Sequence, residues 1–99
     1  MTLLHNVAVD ELALNERCRR YGVSNLWLFG SILRDDFRPD SDVDVLVELR
    51  APIGLFRLGD LQVDLEEIFG RPVHLTTLAS VPEAIRPQLL RTTKLQYAG

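Results

Sequence analysis

The chain has little cysteine, no excess of basic residues and no long apolar run, and each shortage excludes a class of protein. Cys18 is the single cysteine, so an internal disulfide is impossible and nothing indicates an oxidising compartment. No stretch approaches the ~18 apolar residues that span a bilayer. Residues 1–6 lack a basic segment and a cleavage site, so we expect no signal peptide and a cytoplasmic location.

The charge of the chain is slightly acidic and spread along its length. Eleven Lys and Arg residues against 14 Asp and Glu residues give a net charge of −3. A dedicated nucleic-acid-binding domain normally carries a basic stripe, so we expect no direct binding of nucleic acid. A nucleotide is not excluded, because a metal ion, a helix terminus and one or two arginines can balance its charge.

Length and hydrophobic content are sufficient for a small folded domain. A chain of 99 residues, 46% of them hydrophobic, buries roughly two-thirds of its unfolded surface. Helical and strand patterns alternate, which predicts a single α/β (α+β) domain over residues 1–99. The predicted helices are 9–21 and 55–69, each followed by a glycine, and the predicted strands are 25–29, 43–49 and 71–76.

The last part of the chain predicts a third helix. Ser80 and Glu83 have the spacing of a capping box, and Pro82 suits a first helical turn. The helix is therefore expected to begin near Val81. Pro87 should kink or interrupt it before it continues towards residue 94.

The most informative motif is a Gly30–Ser31 pair followed after ten residues by an Asp-Val-Asp segment. Asp42 and Asp44 lie two apart on a predicted strand, so their side chains point the same way from α-carbons roughly 6.5–7 Å apart. Such carboxylates suit Mg²⁺ or Mn²⁺, which in turn bind triphosphate oxygens. Four fixed residue types at fixed spacing are rare by chance in a chain this short.

The residues around the glycine suit the phosphates of a nucleotide. Gly30 has no side chain, so a phosphate could approach the backbone closely. Ser31 adds a hydroxyl donor, and the amides after it open a short helix whose positive end favours an anion. Arg34, one turn on, could neutralise another phosphate oxygen. Taken singly, these residues also fit a capped turn followed by a strand with solvated aspartates.

Residues 29–34 and 39–47 resemble the signature of the minimal nucleotidyltransferases, which belong to the DNA polymerase β-like nucleotidyltransferase superfamily. The similarity extends over nearly the whole chain. It implies a small mixed β-sheet flanked by helices and Mg²⁺-dependent transfer of a nucleoside monophosphate to a hydroxyl. Many such domains are antitoxins beside a helical HEPN-domain RNase toxin, with transfer of AMP from ATP to a toxin tyrosine as the proposed inactivation.

The resemblance also implies roles for individual residues and a partner. Gly30 and Ser31 would hold phosphate, with Arg34 nearby, and Asp42 and Asp44 would ligate the metal. The partner would be a HEPN-domain protein in a hetero-oligomer. An acceptor on RNA or a small molecule is a weaker alternative, because a basic stripe and a second substrate domain are missing.

The sequence departs from this family at one position. The third carboxylate of the family usually lies on the strand after the long helix, where this chain has His74. An imidazole can accept a proton near neutral pH, so His74 is a candidate general base. It is a poorer ligand for Mg²⁺ than for Mn²⁺ or Zn²⁺. The alternative is a decayed site in a binding module that neutralises its partner by contact. Asp64 is interpreted as a solvated charge on the second helix.

Overall fold

The computed structural model describes residues 9–30 and 42–99. These residues form a four-stranded sheet in the order β3-β2-β1-β4. The strands are β1 (Val23–Phe29), β2 (Val43–Leu49), β3 (Val73–Thr77) and β4 (Lys94–Ala98). β1 pairs antiparallel with β2 and β4, whereas β2 pairs parallel with β3. The predicted small mixed sheet flanked by helices is confirmed.

Three α-helices accompany the sheet in the described residues: α1 (Glu11–Tyr21), α2 (Leu55–Phe69) and α3 (Arg86–Arg91). The α1 helix begins after Asp10, whose Oδ1 accepts a hydrogen bond of 3.1 Å from the Ala13 amide. It ends at Gly22, which has a φ of 72°. The bounds of α2 are those predicted. No helix in residues 9–30 and 42–99 is long and apolar enough to cross a membrane.

The core lies between the sheet and the helices α1 and α2. Leu14 and Cys18 on α1 pack with Leu61 and Leu65 on α2, and all four are fully buried. The strands contribute alternate residues to this core, including Val45 from the centre of the sheet. One face of the sheet is therefore covered by the two longer helices.

The strand residues that do not face the core form rows of paired side chains on the other face of the sheet. Trp27 on β1 pairs with Leu46 on β2 and with Leu95 on β4. Leu46 is fully buried and Trp27 is half-buried. This apolar row lies directly beside the row that contains Asp44.

The C-terminal part differs from the sequence prediction. In place of a helix that begins near Val81, is kinked or interrupted at Pro87 and continues towards residue 94, the chain forms two short 3₁₀ turns, then α3, then β4. Ser80 does not cap a helix, because its hydroxyl donates to the Thr77 carbonyl at 2.7 Å. Pro87 lies in the first turn of α3, where a proline needs no amide hydrogen bond. The predicted helical segment is confirmed only over residues 83–91, its start near Val81 and its continuation towards residue 94 were wrong, and β4 was missed.

Candidate active site

Asp44 lies at the centre of the candidate site because of its place in the sheet. It pairs with Phe29 on the antiparallel neighbour β1 and with His74 on the parallel neighbour β3. Paired residues share a face, so these three side chains form one row at one end of the sheet. The Asp44 Oδ1 atom is 3.3 Å from Nδ1 of His74. The structure thus brings together two of the predicted catalytic residues.

The two members of this pair differ in exposure. The side chain of Asp44 is 24% exposed, whereas that of His74 is 70% exposed. The carboxylate is therefore held in place by its surroundings, and the imidazole remains open to a second molecule. Sequence reasoning gave no role to Phe29, which flanks the carboxylate on its other side, because only the strand pairing reveals that neighbour.

Gly30 follows Phe29 and contacts the Asp44 carboxylate. Its φ is +75°, a left-handed conformation that favours glycine. A Cβ atom built on Gly30 would overlap Oδ2 of Asp44 and lie 3.0 Å from its Cγ. The glycine that the sequence assigned to phosphate binding is therefore also the residue that leaves space for the carboxylate.

Asp42 lies immediately before β2 and is exposed. The strand start beside it is anchored, since the Val43 amide donates a hydrogen bond of 2.9 Å to the Pro72 carbonyl. Ser31 and Arg34 lie outside the described residues, so their assignment to phosphate binding stays a prediction.

The carboxylates of the candidate site fit a metal ion that takes few of its ligands from the protein. In residues 9–30 and 42–99, no group of three or more His, Cys, Asp and Glu side chains is placed to hold a metal ion. A structural zinc site would need four protein ligands. Mg²⁺ is normally held by one or two carboxylates, with phosphates and water completing its octahedron. The carboxylates of Asp42 and Asp44 are ligands of the kind that Mg²⁺ takes from a protein.

Asp64 does not behave as the solvated charge that the sequence predicted. Its Oδ2 accepts a hydrogen bond of 2.7 Å from the Tyr21 hydroxyl and lies 3.4 Å from Nε of Arg17. Its side chain is 20% exposed. Asp64 therefore joins α2 to α1 and takes no part in the site. The earlier interpretation was wrong because the partner is 43 residues away in sequence.

A cavity of about 390 Å³ lies away from this row, at the C-terminal ends of β2 and β3. Its lining includes Val47, Leu58 and Leu78 but none of the predicted site residues. This cavity is therefore separate from the row that contains Asp44 and His74.

Comparison with known proteins identifies the family. A family model described as a nucleotidyltransferase domain matches residues 11–96. The chain belongs to this family. The protein adenylyltransferase MntA of Thermococcus cleftensis is 35% identical over 72 residues, which are 73% of each chain. The identity to MntA agrees with the resemblance to the minimal nucleotidyltransferases. This nucleotidyltransferase domain therefore belongs to an enzyme family and has a relative named as an enzyme.

Solved structures share the fold of this nucleotidyltransferase domain. A toxin–antitoxin structure with AMP-PNP has a TM-score of 0.73 and 19% identity, covering 92% of this chain and 75% of that chain. A complex of an MNT antitoxin with the tri-AMPylated HEPN toxin of Shewanella oneidensis has a TM-score of 0.64 and 20% identity, covering 90% and 70% respectively. At these identities the likeness shows the fold alone.

Proposed function

We propose that this nucleotidyltransferase domain transfers AMP from ATP to a hydroxyl of a HEPN-domain toxin and thereby inactivates it. The observation that carries the proposal is the convergence of Gly30, Asp44 and His74 at one end of three paired strands. The name of the relative from Thermococcus cleftensis supports the reaction class. The antitoxin solved with an AMPylated HEPN toxin supports the partner.

Asp42 and Asp44 would hold Mg²⁺ or Mn²⁺ in this proposal. When bound, the ion neutralises charge on the triphosphate and on the departing pyrophosphate. Gly30 and Ser31 would face the phosphates through backbone amides, and Arg34 would balance a further phosphate oxygen. These residues orient the α-phosphate, which is most of what phosphoryl-type transfer requires from a protein.

His74 would receive the proton of the acceptor. The acceptor oxygen attacks the α-phosphorus, the bond from that phosphorus to the bridging oxygen breaks, and pyrophosphate leaves. A proton on Nδ1 facing Asp44 Oδ1 fixes the tautomer whose Nε2 carries a free lone pair. The acceptor proton moves to that Nε2 atom. The exposure of the imidazole, 70%, allows a hydroxyl on another protein to reach it.

A second candidate function is neutralisation of the same toxin by contact alone. It is favoured by the departure seen in the sequence, because His74, near the start of β3, stands where the family resemblance implies a third carboxylate. A binding module of this kind would keep the fold and the partner but transfer nothing.

Transfer to the partner distinguishes the two functions. The chain is incubated with ATP labelled on its α-phosphate, with Mg²⁺ or Mn²⁺, and with a purified HEPN-domain protein from the same organism. We expect label on the HEPN protein and none with the double variant Asp42→Asn/Asp44→Asn. Glu11→Gln removes an exposed carboxylate from α1 and should label normally. Absence of label with either metal contradicts the transfer proposal.

A cellular assay completes the comparison. Under the transfer proposal, the double Asp→Asn variant still forms the complex but no longer protects cells from the toxin. Protection by that variant, with complex formation intact, would instead establish the contact mechanism.

A further inference from the structure

One side of α2 carries exposed apolar side chains that nothing in the described chain covers. Leu55 is 85% exposed, Phe56 is 95% exposed and Val63 is 55% exposed. Their spacing, together with that of Gly59, places them on one side of the helix. These four residues are called the α2 patch. Large exposed apolar groups in a cluster are typical of an interaction site.

Gly59 lies at the middle of the patch and has no role within the described chain. A Cβ atom built on it meets no heavy atom within 4 Å, so the fold does not require glycine there. Glycine is also the poorest helix former after proline. A glycine flanked by large apolar side chains allows another backbone to approach closely. The patch is therefore suited to close packing with a second helix, which would cross α2 at Gly59.

Charge beside the patch distinguishes between the possible occupants. Asp60 and Glu67 are exposed on the same side of α2 as Val63, and helical spacing places them along one border of the patch. Two copies of this chain crossing at Gly59 would bring Asp60 close to its own counterpart, and like charges facing each other disfavour pairing. A helix that carries lysine or arginine would meet these carboxylates with opposite charge.

We propose that the α2 patch docks an amphipathic helix of the HEPN partner, with apolar residues against the patch and basic residues against Asp60 and Glu67. The identity of the partner rests on the proposed function. The docking surface itself rests on the exposure of the patch, on Gly59 and on the acidic border.

Docking at the patch leaves the catalytic row open. The α2 helix packs its Leu61 and Leu65 side onto one face of the sheet, whereas Asp44 and His74 lie on the other face. A partner helix held on the outer side of α2 therefore does not cover the Asp44 carboxylate. Docking and transfer therefore use different surfaces, and loss of the Asp42 and Asp44 carboxylates should leave docking intact.

The test uses variants that keep the fold. Gly59→Leu enters open space and places a better helix former in α2, so the unfolding midpoint in urea should not fall. The added side chain blocks a close helix crossing. Phe56→Ser removes the most exposed apolar group of the patch. Leu12→Ser is the matched control, because Leu12 is 80% exposed but lies on α1.

The dissociation constant for the same purified HEPN-domain protein is measured by calorimetry. We expect it to rise about tenfold or more for Gly59→Leu and for Phe56→Ser, and to stay unchanged for Leu12→Ser. The pair Asp60→Lys/Glu67→Lys should also weaken binding. The Asp42→Asn/Asp44→Asn variant should bind like the original chain.

Two results would overturn the inference alone. One is unchanged binding by both patch variants while the original chain binds its partner. The other is self-association of the original chain that Gly59→Leu abolishes, which would assign the patch to a second copy. If the original chain does not bind the HEPN protein at all, the partner in the proposed function is wrong, and the docking proposal fails with it.

Discussion

Gly30 and Asp44 are so close that the glycine position has no space for a side chain: a Cβ atom there would overlap the carboxylate. The φ of +75° adds a second restriction at the same residue. We expect Gly30→Ala to cost about 1–2 kcal/mol of unfolding free energy from its left-handed backbone. Displacement of the carboxylate should lower AMP transfer about 100-fold. Urea unfolding and label transfer measure the two effects.

Gly22→Ala is the control for this change. Gly22 has a similar φ of 72°, but a Cβ atom there meets nothing within 4 Å. It should therefore lose comparable stability and retain full transfer. Equal activity losses in the two variants would show that backbone strain alone, rather than the position of Asp44, accounts for the Gly30 effect.

Replacement of His74 tests its assignment as general base. His74→Ala should lower transfer by about 100-fold or more, because positioned proton acceptors contribute that much. Its exposed position predicts little change in stability. Added imidazole should restore part of the activity. Transfer at the original rate would indicate that the acceptor loses its proton elsewhere. An increase on His74→Asp would instead indicate a site that decayed at this residue.

The hydrogen bond from Tyr21 to Asp64 should stabilise the packing of α1 against α2. Burial raises the pKa of Tyr21, and the hydrogen bond and negative charge of Asp64 raise it further, so the phenol stays protonated. Arg57 also lies 4.8 Å from the centroid of its ring. We expect Tyr21→Phe to lower the unfolding free energy by about 1 kcal/mol without reducing transfer. An unchanged urea midpoint would contradict this role.

The thiol of Cys18 predicts a pH dependence of stability. Burial raises its pKa from 9.0 to about 12 in the folded chain. Well below pH 9 the thiol is neutral in both states, so it has little effect. Between pH 9 and about 12 the unfolded thiol ionises first, so stability falls by up to about 1.4 kcal/mol per pH unit.

The Cys18→Ala variant isolates this contribution. Above pH 9, its unfolding free energy should fall less steeply than that of the original chain, once the constant cost of the smaller side chain is subtracted. At pH 8 the original thiol should react with a thiol reagent only as fast as the chain opens. Rapid labelling of the folded chain would contradict full burial of Cys18.

The elements that were predicted correctly are those specified by local pattern. The α2 helix follows from an apolar stripe that ends at Gly70, and β2 follows from alternation of Val43 with polar neighbours. The start of the third helix was wrong because the capping spacing of Ser80 and Glu83 is only a local signal, and the Ser80 hydroxyl instead donates to the Thr77 carbonyl. β4 was missed because it forms through a distant partner strand, in which Leu26 of β1 pairs with Tyr97.

The same distinction applies to the candidate site. Spacing along the chain placed Asp42 and Asp44 at the start of one strand, and the structure agrees with that placement. The contact between Asp44 and His74 depends on the parallel pairing of β2 with β3, which no local pattern specifies. The crowding of Gly30 against Asp44 could not be predicted either, because it depends on the register of β1 and β2.

Trp27 is the only tryptophan of the chain, and its row on the sheet adjoins the row of Asp44. Intrinsic fluorescence therefore originates on the sheet face where ATP and Mn²⁺ would bind. A titration followed by tryptophan fluorescence could therefore detect nucleotide binding without an added dye and without emission from a second tryptophan.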